Sequence, residues 1–259
     1  MIIFMIDYIL SIMNKNKQFF IIKALVAPTY AKPSFNSPQV TEAVSGEIVQ
    51  IFDIKDEWLF IEQTDGYKSW VNNFYGEIDN NPIELNYIVT DFHSLPFGIR
   101  LSIIDGQYFT VNGDSYIPKS KPRNVKESFK HNLILENAKK LIGCPYRWGG
   151  KTSMGFDCSG FVQSVFFSAG LLLPRDSSEQ FEYFSKNIIK AEEVEPGDLQ
   201  FFGKNGKITH VGISIGESGI IHCQGWVKEE SLSKDKKIFN QKLLDMYMYS
   251  CSIKLNLEC

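Results

Sequence analysis

With 259 residues, of which 44% are hydrophobic and 22% charged, the chain is long enough to bury one large core or two modest ones. A net charge of −3 and a sequence pI near 5.9 leave no electrostatic footprint for nucleic acid or for an anionic membrane surface. The 5 cysteines lack CxxC and zinc-finger spacing, so Cys144, Cys223, Cys251 and Cys259 are expected to stay reduced and structural.

The chain begins with a short appendage, residues 1–17. Its apolar run Met1–Leu10 lacks the leading positive charges of a signal peptide; Asp7 interrupts it, and Lys15 and Lys17 follow instead of preceding it. No later run approaches the length of a membrane span. A cytoplasmic location is therefore expected, with an atypical N-terminal anchor in the cell envelope as the alternative and Met13 as an alternative start.

Residues 18–118 read as a β-rich region. A strand over Phe20–Ala27 is followed by a loop punctuated by Pro28, Pro33 and Pro38, then by short strands over Glu47–Ile54, Glu57–Glu62 and Lys68–Val71. This spacing suits a small barrel. Residues 84–118 add strand-like segments at Ile99–Ile103 and Gln107–Val111, which form either a second, abbreviated barrel or an extension of the first. Residues 119–128, rich in lysine and arginine, read as a linker.

The chemistry-bearing stretch is Pro145–Gly160, a glycine-studded loop that delivers Cys158 to the start of a helix. Apolar residues at Phe161, Val162, Val165, Phe166 and Ala169 form the stripe of an amphipathic helix, ended by Gly170. Asp157 is the candidate N-cap, so Cys158 falls in the first turn, where free N–H groups and the macrodipole favour a thiolate. Downstream, Gly197–Phe202 reads as a strand, and Lys204–Lys207 as a turn. Ile208–Ile215 then alternates, with His210, Gly212 and Ser214 on one face and Val211, Ile213 and Ile215 on the other. After the Gly216–Gly219 turn, His222 and Gln224 share a face. Strand parity puts His210 and His222 on the same side only if their connecting loop holds an odd number of residues, about three or five. On that condition Cys158, His210 and His222 can act as nucleophile, base and orienting group, with Gln224 in reserve. The competing reading of the same three residues is a zinc site.

The runs Pro145–Gly150, Phe156–Val162, Leu173–Gln180, Pro196–Leu199 and Thr209–Ile213 together resemble the NlpC family of papain-like cysteine peptidases, over about residues 130 to 225. The resemblance implies an α+β fold with a papain-like helix-plus-antiparallel-sheet catalytic domain over residues 129–259, and hydrolysis of peptidoglycan stem peptides at the γ-D-glutamyl-diamino acid bond through a thioacyl-enzyme. It assigns the catalytic cysteine, histidine and third polar residue to Cys158, His210 and His222, and sets Tyr146 close by as a hydrogen-bond donor. Residues Gly46-Glu47, Trp58–Ile61 and Asp65–Val71 resemble the bacterial SH3-like domain, a small β-barrel. In enzymes with this pairing the SH3-like domain can roof the cleft and select stems with a free N-terminal L-alanine. The resemblance gives Asp157, Ser159 and Tyr67 to that ammonium, while Arg175 contacts a substrate carboxylate or forms an ion pair with Asp176 or a neighbouring acid. No cofactor and no nucleic-acid partner are expected, and the chain is expected to be monomeric. A wall-binding protein with altered catalysis and an acyltransferase using the same Cys-His pair are the alternatives.

Overall fold

The computed structural model describes residues 18–91 and 94–254; the N-terminal appendage and Cys259 lie outside the described residues. Seven strands form the first sheet: β1 (Gln18–Ile22), β2 (Val26–Tyr30), β3 (Gln39–Val44), β4 (Ile48–Lys55), β5 (Trp58–Glu62), β6 (Lys68–Asn72) and β7 (Gly76–Asp79). Their order is β3-β2-β6-β5-β4-β1-β7, a linear pairing that does not join β3 to β7. The single strand expected over Phe20–Ala27 is two strands. The N–H groups of Lys23 and Ala24 both donate to the Tyr75 carbonyl, which bends the chain out of β1 before it re-enters the sheet as β2. Pro28, expected in a loop, lies inside β2 opposite Glu42. Phe20, Ile22, Val49, Leu59, Ile61 and Val71 make the core of this sheet.

The question left open for residues 84–118 resolves into a separate sheet. It comprises β8 (Tyr87–Ile88), β9 (Arg100–Ile104), β10 (Gln107–Phe109), β11 (Ser115–Tyr116) and β12 (Arg123–Asn124), in the order β11-β10-β9-β8-β12. Its last strand comes from the stretch read as a linker. Arg123 is buried, and its guanidinium donates to the carbonyls of Glu127, Ser128 and Ala169, so this segment is fastened at both ends.

The third region begins with α1 (Asn132–Lys140) and the short hairpin β13 (Lys151–Thr152) and β14 (Gly155–Phe156). Helices α2 (Cys158–Ala169) and α3 (Ser177–Phe184) follow. The sheet contains β15 (Ile188–Ile189), β16 (Leu199–Lys204), β17 (Lys207–Gly216), β18 (Gly219–Gln224) and β19 (Trp226–Ser231), then α4 (Gln241–Met246) leads to β20 (Tyr247–Cys251). The antiparallel order is β15-β20-β16-β17-β18-β19. Helix α2 packs on α1 and on β17 and β18. Its stripe of Phe161, Val162, Val165, Phe166 and Ala169 is fully buried, and each large side chain there contributes roughly 1.5–3 kcal/mol by leaving water. Gly170, at φ 98°, closes the helix in the left-handed conformation. Among the described residues no helix is long and apolar enough to cross a membrane.

Candidate active site

The start of α2 is held by its own cap and by the loop in front of it. Asp157 Oδ1 accepts the Gly160 N–H at 2.7 Å, and the Asp157 N–H donates to the Gly150 carbonyl. A side chain on Gly160 would place its Cβ 2.1 Å from that carbonyl oxygen, so the third helical position must be glycine for the loop to seat. This packing sets Cys158 on the floor of a cleft of about 700 Å³, shared with Tyr146, Trp148, Ser159, Thr209, His210 and Cys223. Residues Pro38, Gln39, Val40 and Tyr67 of the first sheet region line the other side.

The helix start does not act on Cys158 alone. Burial, then the neighbouring Asp157 carboxylate, push the Cys158 thiol up to about 11, outweighing the N–H groups of Ser159 and Val211 that pull it down. Burial beside His222 and Lys228 pushes His210 down to about 3. Burial thus disfavours the charged form of both partners, and the base is placed to act when a substrate carbonyl is attacked.

The two histidines do face the same side, although the loop between their strands holds only two residues, Glu217 and Ser218. Both adopt the left-handed conformation of a tight hairpin, at φ 49° and 61°. The missing residue of parity is supplied inside β17. Ser214 pairs with Ile220 but Gly216 pairs with Gly219, leaving Ile215 as a β-bulge. The loop-length condition was thus too narrow, because a bulge changes parity as well as an extra loop residue does. Ahead of the bulge, the register that pairs Ile213 with Ile221 runs His222 diagonally past His210 across Gly212. His210 Nε2 lies 2.8 Å from His222 Nδ1, with the rings nearly perpendicular.

Behind His222 stands a residue that the sequence reading missed. His222 Nε2 is 2.9 Å from Glu230 Oε2, on β19. Asn240 Nδ2 donates to the same oxygen at 2.6 Å, and Lys228 Nζ lies 3.0 Å from the other. Burial works against the Glu230 charge, but Asn240, Lys228 and His222 together hold its carboxyl below the usual range. The strand register His222↔Lys228 places Glu230 on the His222 face, two positions on. Alternation within β19 carried that signal, but only once β18 and β19 were known to pair. The reserve candidate Gln224 lines the cleft.

Arg175 is buried to 2% exposure and spends its donors internally. It contacts Asp157 Oδ1 at 3.1 Å, Asp157 Oδ2 at 2.6 Å, Ser159 Oγ at 3.0 Å and Thr41 Oγ1 at 2.7 Å. Its ion pair is with Asp157, so of the two roles expected for Arg175 the geometry supplies the ion pair. Asp157 Oδ2 also accepts the Gly149 N–H at 2.9 Å. Asp157 and Ser159 border the cleft, but their polar atoms are already engaged. A second carboxylate at the cleft wall, Asp176, is the N-cap residue of α3 and makes no side-chain capping bond. Burial raises its pKa against the lowering effect of Arg175. Tyr67 lies near enough that Asp176 helps raise the pKa of its phenol, behind the larger effect of burial. Tyr146 is raised to about 12 by burial, Cys158 and Asp157, and so remains a hydroxyl donor. Among the described residues no group of three His, Cys, Asp or Glu side chains is disposed to hold a metal ion, and Cys144, Cys223 and Cys251 are buried and free.

The model of the NlpC/P60 family matches residues 143–247, and that of the bacterial dipeptidyl-peptidase Sh3 domain matches residues 29–73. The chain is 32% identical over 149 residues to the gamma-D-glutamyl-L-lysine dipeptidyl-peptidase of Bacillus subtilis (strain 168), covering 56% of this chain and 47% of that protein. It is 24% identical over 263 residues to dipeptidyl-peptidase 6 of Lysinibacillus sphaericus, covering 86% of this chain and 95% of that one. For several curated relatives the chain spans about half of their length or less. The crystal structure of an NlpC/P60 family protein from Bacillus cereus ATCC 10987 superposes with a TM-score of 0.77 at 20% identity, over 90% of this chain and 99% of that one, which shows a shared fold. The chain carries an NlpC/P60 domain of papain-like fold, whose cleft holds Cys158 and His210, preceded by a bacterial Sh3 domain.

Proposed function

We propose that this chain is a cysteine peptidase that hydrolyses the γ-D-glutamyl bond to a diamino acid in peptidoglycan-derived peptides with a free N-terminal L-alanine. The observation that carries the reading is a cysteine at a helix start, sharing one cleft with a histidine that is itself hydrogen-bonded to a second. The name of the gamma-D-glutamyl-L-lysine dipeptidyl-peptidase of Bacillus subtilis (strain 168) supports the choice of bond, and that of dipeptidyl-peptidase 6 of Lysinibacillus sphaericus supports release of a dipeptide.

In this reading His210 Nδ1 takes the Cys158 proton as the sulfur attacks the γ-carbonyl. The oxyanion faces the first N–H groups of α2 and the Tyr146 hydroxyl. Collapse expels the diamino acid amine, which takes the proton back from His210, and water then releases the dipeptide from the thioester. The substrate ammonium is assigned to Asp176 and the Tyr67 hydroxyl, because Arg175 already neutralises Asp157. Among the described residues no lysine or arginine lines the cleft, and the Asp176 carboxylate there favours a cation.

The test is the rate of cleavage of L-Ala-γ-D-Glu-L-Lys and of its N-acetylated form, with products read by mass spectrometry. The free peptide is expected to release L-Ala-γ-D-Glu, and acetylation to slow it by roughly 100-fold, the scale of a lost charged hydrogen bond of about 3 kcal/mol. Equal rates for the two peptides would remove the amine-recognition assignment.

A further inference from the structure

We propose that Glu230 is a positioning residue, which fixes the tautomers of both histidines so that His210 presents a bare Nδ1 to Cys158. This inference rests on the peptidase reading above and goes one residue beyond its cysteine and two histidines.

Glu230 sits on β19, His222 on β18 and His210 on β17, so three adjacent strands each place one group in a row across the same face. Ionised Glu230 can only accept, and its Oε2 is 2.9 Å from His222 Nε2, so that nitrogen carries the hydrogen. A neutral His222 then has a bare Nδ1, which must accept. Its partner at 2.8 Å is His210 Nε2, which therefore donates. The proton of neutral His210 is thereby committed to Nε2, leaving Nδ1 as its acceptor. Without the carboxylate either tautomer of His222 is open. The form protonated at Nδ1 would oppose the His210 N–H or force the proton of His210 onto Nδ1, where it cannot serve as base.

The site is built to hold this carboxylate in place. His222 is fully buried, and the Glu230 side chain is 17% exposed. Asn240 caps α4 through its carbonyl oxygen, accepting the Leu243 N–H at 3.0 Å, while its amide nitrogen donates to Glu230. The segment after the histidine hairpin thus acquires a task, since α4 orients Asn240, which orients Glu230. No proton leaves His222 or Glu230 during turnover; the carboxylate holds the tautomer and favours the imidazolium that forms on His210.

The pH profile carries a further consequence. The charged and titratable groups around the row are Glu230 and Lys228 on β19, the two imidazoles, and Cys158 with Asp157 at the start of α2. Burial lowers the pKa of His222, Glu230 raises it and Lys228 lowers it. Removing the Glu230 charge therefore moves protonation of the histidine pair to lower pH. The acid limb of kcat/KM should move the same way even as the maximum falls.

The first experiment needs no variant. Two-bond nitrogen–proton spectra of the whole protein with 15N-labelled histidine are expected to show His210 and His222 both protonated at Nε2 and bare at Nδ1. A His222 protonated at Nδ1 would overturn the proposal. The second is Glu230→Gln, which keeps an acceptor oxygen but removes the charge. It is expected to lower kcat by roughly 10- to 100-fold with little change in KM, and to shift the acid limb down by roughly one pH unit. A structural lesion would lower the melting temperature and leave the limb where it is, and that result would also overturn it. A Cys158→Ala control separates this from the underlying reading. If turnover survives that control, the peptidase assignment fails; if turnover is lost while Glu230→Gln behaves as wild type, only the role of Glu230 fails.

Discussion

Asp157 illustrates how one side chain can be claimed by several roles. It caps α2, accepts from the loop at Gly149, and neutralises Arg175, all with two oxygens. Breaking a buried pair by removing one partner costs about 3–5 kcal/mol, because the remaining charge is left unpaired in a poor solvent for it. Arg175→Met is therefore expected to destabilise the protein by about that amount, measured by urea denaturation, and to disturb the setting of Cys158. A loss below about 1 kcal/mol would mean that Asp157 finds another partner or that water reaches it. The pair was half legible in the sequence. An ion pair for Arg175 was foreseen with Asp176 or a neighbouring acid, but Asp157 lies 18 residues away and only the fold brings it close.

At the level of elements, the decisive feature is the β17–β18 hairpin. Alternation correctly grouped His210, Gly212 and Ser214, and the turn at Glu217-Ser218 was marked by its flanking glycines. The bulge at Ile215 was not legible, since a β-branched residue inside a clean alternating run carries no sign of being unpaired. Glu230 was hidden for a similar reason, because its face is defined only by the register across the tight reversal at Gly225. Gly212 is where this arrangement is most sensitive. An added Cβ would stand 2.9 Å from His222 Cβ and 2.6 Å from Ile220 Cδ1. The isoleucine methyl can rotate away, but the His222 Cβ cannot move without carrying its ring off His210. Gly212→Ala is expected to fold and to lose kcat by roughly 10- to 100-fold, the scale of an ångström of misplacement. A steady-state assay showing an unchanged kcat would contradict the diagonal placement of the two imidazoles.

Across the whole molecule, the Sh3 region reaches into the cleft by direct contacts. Gln39 accepts from the Trp148 indole at 3.0 Å, Thr41 accepts from Arg175, and buried Glu42 pairs with Arg147 while accepting the Lys151 N–H at 3.1 Å. Asp65 accepts from Gln163 of α2 at 2.8 Å. Strand β3 therefore braces both the loop before Cys158 and the guanidinium behind it, so cleft shape and nucleophile position depend on the two regions together. That the Sh3 region could roof the cleft was legible from the domain pairing. Of the residues that bear on it, Tyr67 was legible too, while Gln39 to Glu42 were not, because they follow a proline-punctuated stretch that read as loop. The measurement that bears most directly on the account is the cleavage of L-Ala-γ-D-Glu-L-Lys by the wild-type chain and by Cys158→Ala, followed by mass spectrometry. Release of L-Ala-γ-D-Glu by the wild type, reduced by roughly 1,000-fold or more in the variant, is the predicted result; comparable release by both would contradict a Cys158 nucleophile.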